Sequence, residues 1–364
     1  ITKTNQKETD IAYKAQVIAT VDQIDNIYWD LVAAYDTEQV GDRSVAFATD
    51  TLNTARQQFK LQAIPEMDVL KAEGDLATRE QDLTVARTNL ELQELYMKNA
   101  ITRTLDDPIL DEMPVVPTDR IATQIAPISD SVQDMINTAL KSRTELQVSQ
   151  LDLKNRELSR KTARNALLPE LDLYGVYVGT GAAGTQNTKY QGSPITSGLP
   201  TDLGGAIQDA FNNTAPEYRV GLSLQIPLRN RIAKADQYRT ELEYRQSQVY
   251  FEELKKRIRI EVRNARYALE QGAARVDSAR KARDLAAKTL DIMQKEQKLG
   301  AGSNQQTLSA EHDLAVAESA LVTAETAYEK ARIELKRAIG SILDDYGISI
   351  SDAKSGNVGT PAPN

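Results

Sequence analysis

The sequence predicts a mainly α chain with a small β part, in which long antiparallel coiled-coil helical hairpins, built as a duplicated repeat, join two strands of the transmembrane β-barrel kind. Three observations predict it. Residues 61–77 (LQAIPEMDVLKAEGDLA) lie over residues 299–315 (LGAGSNQQTLSAEHDLA), and the register holds without a gap from Ile24 over Val262 to Ile101 over Ile339. Such self-similarity carried through a turn marks a duplication. Next, apolar or small residues at Ile258, Val262, Ala265, Leu269, Gly272, Val276 and Ala279 alternate steps of four and three, the heptad pattern of helices packed as coiled coils. Finally, residues 170–180 (ELDLYGVYVGT) and 218–228 (YRVGLSLQIPL) alternate with the period of two that puts successive strand side chains on opposite faces.

Taken in order, residues 1–103 form the helical hairpin of the first repeat, turning at 61–65. Residues 104–142 are a connector in which Pro108, Pro114, Pro117 and Pro127 forbid one long helix; helix resumes over about 130–140. Residues 143–168 hold another helix, from Glu145 to Leu167, stopped by Pro169. Residues 169–228 contain the two strands and, between them, a Gly-, Asn-, Thr- and Ser-rich loop at 181–215. In the second strand Val220, Leu222, Leu224, Ile226 and Leu228 share one face, and Arg219, Gly221, Ser223 and Gln225 the other. Residues 229–340 are the second hairpin. Its first helix runs unbroken from Asn230 to Leu299, roughly 100 Å at 1.5 Å per residue. Gly300 and Gly302 make the turn, and Ser303 or Asn304 caps the next helix. Residues 341–364 are a C-terminal tail. The hairpins alone equally suit a two-stranded coiled-coil rod, and either strand alone a half-buried soluble sheet. Two strands that each run directly into a very long helix, with the length of roughly 9–11 residues a bilayer requires, favour the membrane.

Composition narrows the function classes. The 364 residues are 41% hydrophobic but only 5% aromatic, as suits Ala-rich helices dotted with Leu. A net charge of −8 with both signs interspersed offers no basic patch for nucleic acid. Mean hydropathy is −0.46, and no run approaches the roughly 18 apolar residues of a spanning helix, so any membrane role falls to strands. With no cysteine, thiol chemistry, disulfides and thiolate metal sites are excluded. There is no Gly-rich phosphate loop and no nucleophile elbow. His312, the only histidine, has no second His or Cys to join in a metal or triad site. No enzyme, cofactor or metal is expected. Tyr28 and Trp29 are expected to pack on a neighbouring helix.

Four stretches carry a family resemblance: Arg143-Thr-Glu-Leu146 opening a helix, Ala166-Leu-Leu-Pro-Glu-Leu171 leading into a strand, Ile226-Pro-Leu228 leaving one, and the paired turns 61–70 and 299–308. In this order and spacing the chain resembles the TolC-type outer membrane factors, the outer membrane efflux protein family, over nearly its whole length. The resemblance implies a homotrimer in the bacterial outer membrane: a twelve-stranded β-barrel, four strands per protomer, continued by a twelve-helix α-barrel through the periplasm. The 104–142 connector would then be equatorial and the 181–215 loop extracellular. It also implies a passive exit duct of a multicomponent efflux or type I secretion system, contacting outer-membrane lipid, a periplasmic adaptor protein and, indirectly, an inner-membrane pump. The repeat register carries Ile1 onto Arg239, just past the second repeat's last strand. The matching strands of the first repeat are therefore expected upstream of Ile1, and the chain as it stands, with two strands, cannot close such a barrel. The competing reading is a non-membrane coiled-coil tether or scaffold. An adaptor, the third possibility, would need a lipoyl-like β-domain that the sequence does not show.

By the same resemblance the helical tips dock the adaptor, through Leu61, Ala63, Ile64 and Pro65 in the first repeat and Leu299, Gly300, Ala301, Gly302 and Ser303 in the second. Small residues at a turn let another hairpin meet it end-on. The family also narrows its inner end with acidic rings. Those acids fall here on Gln306 and Ser309, neither charged, with Asp68 and Lys71 at the equivalent places of the first repeat. Asp68, Glu73 and Glu311 are the expected constriction residues.

Overall fold

The computed structural model describes residues 2–102, 113–119, 131–184, 189–190, 193–194, 200, 202–212, 216–299 and 302–356. These residues form helices α1 (Thr2–Lys60), α2 (Glu66–Ile101), α3 (Val132–Ser142), α4 (Thr144–Asn165), α5 (Leu203–Phe211), α6 (Arg231–Lys298), α7 (Asn304–Ile339), α8 (Ile342–Asp345) and α9 (Ile350–Ser355). The strands are β1 (Glu170–Gly179), β2 (Lys189–Tyr190), β3 (Ser193–Pro194) and β4 (Pro216–Gln225). The chain divides into two compact units, one of Ile1–Asp152 with Val249–Asn364 and one of Leu153–Gln248. Among the described residues no helix is long and apolar enough to cross a membrane.

In the first unit, chemistry at the ends defines the hairpins. α1 closes where Gln62 turns left-handed (φ 59) and the Ala63 amide reaches back to the Gln58 carbonyl at 2.9 Å, a Schellman-type ending. Pro65 then opens α2, with Glu66 and Asp68 in its first turn, where carboxylates meet the positive end of the helix dipole. α7 opens on a capping box and ends at Gly340, whose φ of 82 only glycine adopts without strain. α1 stops at Lys60 and α6 at Lys298, while α2 and α7 are each 36 residues.

α1 runs antiparallel to α2 and to α7. Lys330 binds Asp30 at 2.6 Å and Arg43 binds Glu318 at 2.8 Å along the α1–α7 seam. The main core unites α3, the start of α4, α6 and α7 through Ile136, Leu146, Ile258, Val262, Leu269, Val276, Tyr328 and Leu335. Fully burying each Ile or Leu contributes about 1.5–3 kcal/mol. Of the heptad positions, Ile258, Val262, Ala265, Leu269, Gly272 and Val276 are buried and Ala279 is half-buried. Arg143 ties this core's polar edge together, donating to Glu145 at 2.8 Å, Glu261 at 2.9 Å and the Ala338 carbonyl at 3.3 Å. Trp29 packs on the Ile333–Ile342–Leu343 cluster, and the Tyr28 hydroxyl donates to Asp119 at 2.9 Å. Residues 113–119 are not helical; Pro108 and Pro127 lie outside the described residues.

The second unit holds an antiparallel β1–β4 pair whose register runs from Glu170 opposite Gln225 to Gly179 opposite Pro216. Both strands differ slightly from the sequence expectation. β4 starts at Pro216 and stops at Gln225, leaving Ile226 and Leu228 outside it. Glu170, opposite Gln225, follows Pro169, which offers no amide, and the chain turns at Arg229 (φ 56). The 181–215 segment is not all loop, because α5 lies within it. Asp202 caps that helix by accepting from the Gly205 amide at 3.3 Å. The adjacent Gly204 and Gly205 lower helix propensity and hide the element from sequence.

Candidate functional site at the hairpin tips

The two hairpin turns share one end of the first unit. Ala63, Ile64 and Asp68 from one and Gly302 and Ser303 from the other line a single cleft of about 510 Å³, with Lys71 and Leu308 also on its wall. The Ser303 hydroxyl accepts from the Gln306 amide at 3.3 Å, while the Gln306 side chain accepts from the Ser303 amide at 3.2 Å. That reciprocal pair satisfies two amides that would otherwise lack partners at the start of α7. Gln306 therefore does capping work. Ser303→Ala should lower stability by about 1 kcal/mol, read as a shift in the urea unfolding midpoint, with the turn the first segment to lose amide-exchange protection.

Leu61 and Leu299 project from the turns, almost wholly exposed, and Pro65 is exposed beside them. Gly300 and Ala301 lie outside the described residues. Asp68 keeps a half-exposed carboxylate 3.8 Å from Lys71. Glu73 is paired with Arg56 at 2.7 Å on the surface.

Glu311 sits in a different setting from Asp68 and Glu73. It is 6% exposed, held by Arg79 at 2.6 Å and by the Ser44 hydroxyl at 3.1 Å, so its carboxylate meets other side chains of the same unit. Arg79, itself 5% exposed, also binds Asp75 at 2.7 Å and donates to Ser44. Three helices, α1, α2 and α7, are thus joined through one buried ionic cluster just behind the tips. Burial holds the Glu311 carboxyl above the usual glutamate range, and Arg79 and Ser44 draw it back only in part. Arg79, Ser44 and Asp75 escape a search for site residues, yet the sequence carries a signal. Ala72, Leu76, Arg79 and Leu83 follow the four–three spacing of α2's packing stripe, and Arg79 is the one charge on it. A charged side chain at such a position sets register between helices.

Among the described residues, the architecture is one of paired helical hairpins, a β1–β4 sheet and a cleft between turns, and no group of residues able to hold a metal ion is found. Residues 135–341, more than half of the chain, match the family described as outer membrane efflux protein. The chain belongs to that family, whose members are passive channels and not enzymes. Solved structures agree on the fold. The Campylobacter jejuni CmeC outer membrane channel is 18% identical, with a TM-score of 0.69 over 98% of this chain and 69% of that one. The outer membrane protein VceC from Vibrio cholerae is 15% identical, with a TM-score of 0.70 over 93% and 74%. The open state of the Neisseria gonorrhoeae MtrE outer membrane channel is 19% identical, with a TM-score of 0.67 over 91% and 67%. No curated protein matches the chain.

Proposed function

We propose that the chain is a protomer of an outer-membrane exit duct in a multicomponent efflux or type I secretion system, a passive path for small molecules or proteins across periplasm and outer membrane. One observation carries the reading. β1 and β4 form a two-stranded sheet exposed on both faces, with Leu171, Leu173, Val220, Leu222 and Leu224 61–81% exposed on one of them. The other face is mixed: it holds every charge of the pair, Glu170, Asp172, Glu217 and Arg219, with Ser223 and Gln225, but also Tyr174, Val176 and Val178. A lone pair of strands is marginal in water, and a pair with one uncharged apolar face and all its charges on the other suits a barrel closed by further copies in lipid. The alternative of a half-buried soluble sheet finds no cover over the length of either face among the described residues of this unit, where α5 meets only the Gly179 end. The matching ends of α1 and α6, and of α2 and α7, support duplication of the hairpin.

In this duct residues 1–103 and 229–340 supply the α-barrel wall, 104–142 the equatorial connector and 169–228 the barrel strands of a homotrimer. The tips dock a periplasmic adaptor through Leu61, Ala63, Ile64, Pro65, Leu299, Gly302 and Ser303. Asp68 supplies the acidic constriction, with Glu73 further along the same helix. A ring of like carboxylates concentrates cations and repels anions at a narrow point.

Single-channel recording in planar bilayers, with the protein as its native gene encodes it, tests the reading. Discrete, long-lived steps are expected, and Asp68→Asn should lower cation conductance by about twofold. A silent bilayer together with a monomeric, water-soluble protein would establish a coiled-coil tether instead.

A further inference from the structure

The short helix between the strands has an unexplained face. α5 exposes Leu203 (75%), Ile207 (50%) and Phe211 (85%), spaced four apart and so aligned along one side. It contains no Lys or Arg, and its polar residues, Gln208 and Asp209, fall together elsewhere on the helix. A soluble loop gains nothing from displaying three large apolar side chains in a row.

The β1–β4 register places this helix. Along β1, Leu171, Leu173, Gly175, Tyr177 and Gly179 share one face, opposite Leu224, Leu222, Val220, Tyr218 and Pro216. That is the apolar face. A Cβ added at Gly179 would run into the Ala210 carbonyl oxygen, and one at Gly181 into that of Ala206. The backbone of α5 therefore lies against the apolar face at the end of the sheet. It comes directly after the Tyr177–Tyr218 pair, whose rings are 5.4 Å apart. Paired tyrosines at a strand end mark the level of lipid headgroups. Glycine at 179 and 181 is what permits so close a seat, which sets the helix on the outer side of the strands, continuous with their lipid-facing surface.

We propose that α5 is an interfacial anchor, lying in the headgroup layer at the rim of the barrel with Leu203, Ile207 and Phe211 inserted in the lipid surface. An amphipathic helix with large apolar residues on one side binds membranes in this way. The proposal rests on the reading that the apolar face of β1 and β4 meets lipid, and the test separates the two.

These 364 residues hold no cysteine, and with any cysteine elsewhere in the gene product replaced by serine, single nitroxide labels are placed without a background. Ile207→Cys, Phe211→Cys, Gln208→Cys, Leu222→Cys and Ser223→Cys, each in the protein as its native gene encodes it, are labelled and reconstituted in phosphatidylethanolamine–phosphatidylglycerol vesicles. Collision with oxygen, which concentrates in lipid, is compared with collision with a water-soluble nickel chelate. Labels at 207 and 211 should show an oxygen-to-nickel ratio about threefold above that at 208, with 222 higher still and 223 low. If 222 reports lipid while 207 and 211 report water, the anchor is wrong and the duct stands. If 207 and 211 are shielded from both agents, a neighbouring copy covers the helix and the anchor is again wrong. If 222 meets nickel as readily as 223, the duct reading itself fails and takes the anchor with it.

Discussion

Arg79→Met should lower the stability of the helical unit by about 3–5 kcal/mol, the cost of leaving a buried charge without its partner. The substitution preserves much of the side chain's volume, so the loss comes from charge. Glu311, 6% exposed, would keep only the Ser44 hydroxyl as a ligand. Asp75, a quarter exposed, reaches water and suffers less. Replacing both ends, Arg79→Met with Glu311→Met, should recover all but about 1–2 kcal/mol, because two apolar groups in a buried seam need no solvation. Urea unfolding of the detergent-solubilised protein, followed by helical circular dichroism, measures both. The pH dependence has a definite sign. Burial already raises the folded-state pKa of Glu311 above its ordinary value, and removing Arg79 raises it further. The folded state then binds a proton that the unfolded state has released, so stability falls as pH rises through that window. The Arg79→Met deficit should therefore be greatest at neutral pH and shrink on acidification toward the ordinary glutamate range. A deficit independent of pH, or a double variant no better than the single one, would show that the cluster does not join the three helices in the way described.

How much of this was legible in the sequence follows from which forces act locally. The hairpins could be read because heptad spacing is a property of the chain itself: Ile258, Val262, Leu269 and Val276 are buried where their spacing puts them. Both turns were legible through Gly302, Ser303 and Pro65, residues whose backbone preferences end or begin helices. The partners of Glu311 could not be read because Arg79 and Ser44 lie 232 and 267 positions away in the chain, and only tertiary packing brings the three together. A lone glutamate on a helix gives no sign of whether water or an arginine awaits it. α5 was missed for the opposite reason. Its local signals are weak, since two glycines follow its cap, and its seat on the sheet depends on Gly179 and Gly181, whose lack of a side chain matters only once the helix is there. Strand ends shifted by two or three residues because pairing, not alternation, decides where a strand stops.

Val220→Arg should abolish assembly in the outer membrane, whereas Ser223→Arg should be tolerated. The two positions lie three apart on one strand, and the odd spacing places them on opposite faces. Val220 is 81% exposed near the middle of β4 and shares its face with Tyr177, Leu222 and Leu224. An arginine at the bilayer midplane of a lipid-facing strand costs about 2–4 kcal/mol per copy, and a homotrimer incurs it three times over. That sum rivals the whole stability of an ordinary domain, about 5–15 kcal/mol. Ser223 instead shares its face with Arg219, a native arginine beside Val220, so that side of the strand already accommodates a guanidinium. The measurement is the fraction of each variant that stays with outer membranes after urea extraction and runs as a heat-dissociable oligomer. Loss confined to Val220→Arg ties the apolar face to lipid. Equal loss in both variants points instead to a packing requirement at this turn of the strand, and wild-type assembly of Val220→Arg removes the membrane from the account of β1 and β4 altogether. The contrast depends on facing rather than on hydrophobicity, since the same cation enters the same strand twice and only the side it points to differs.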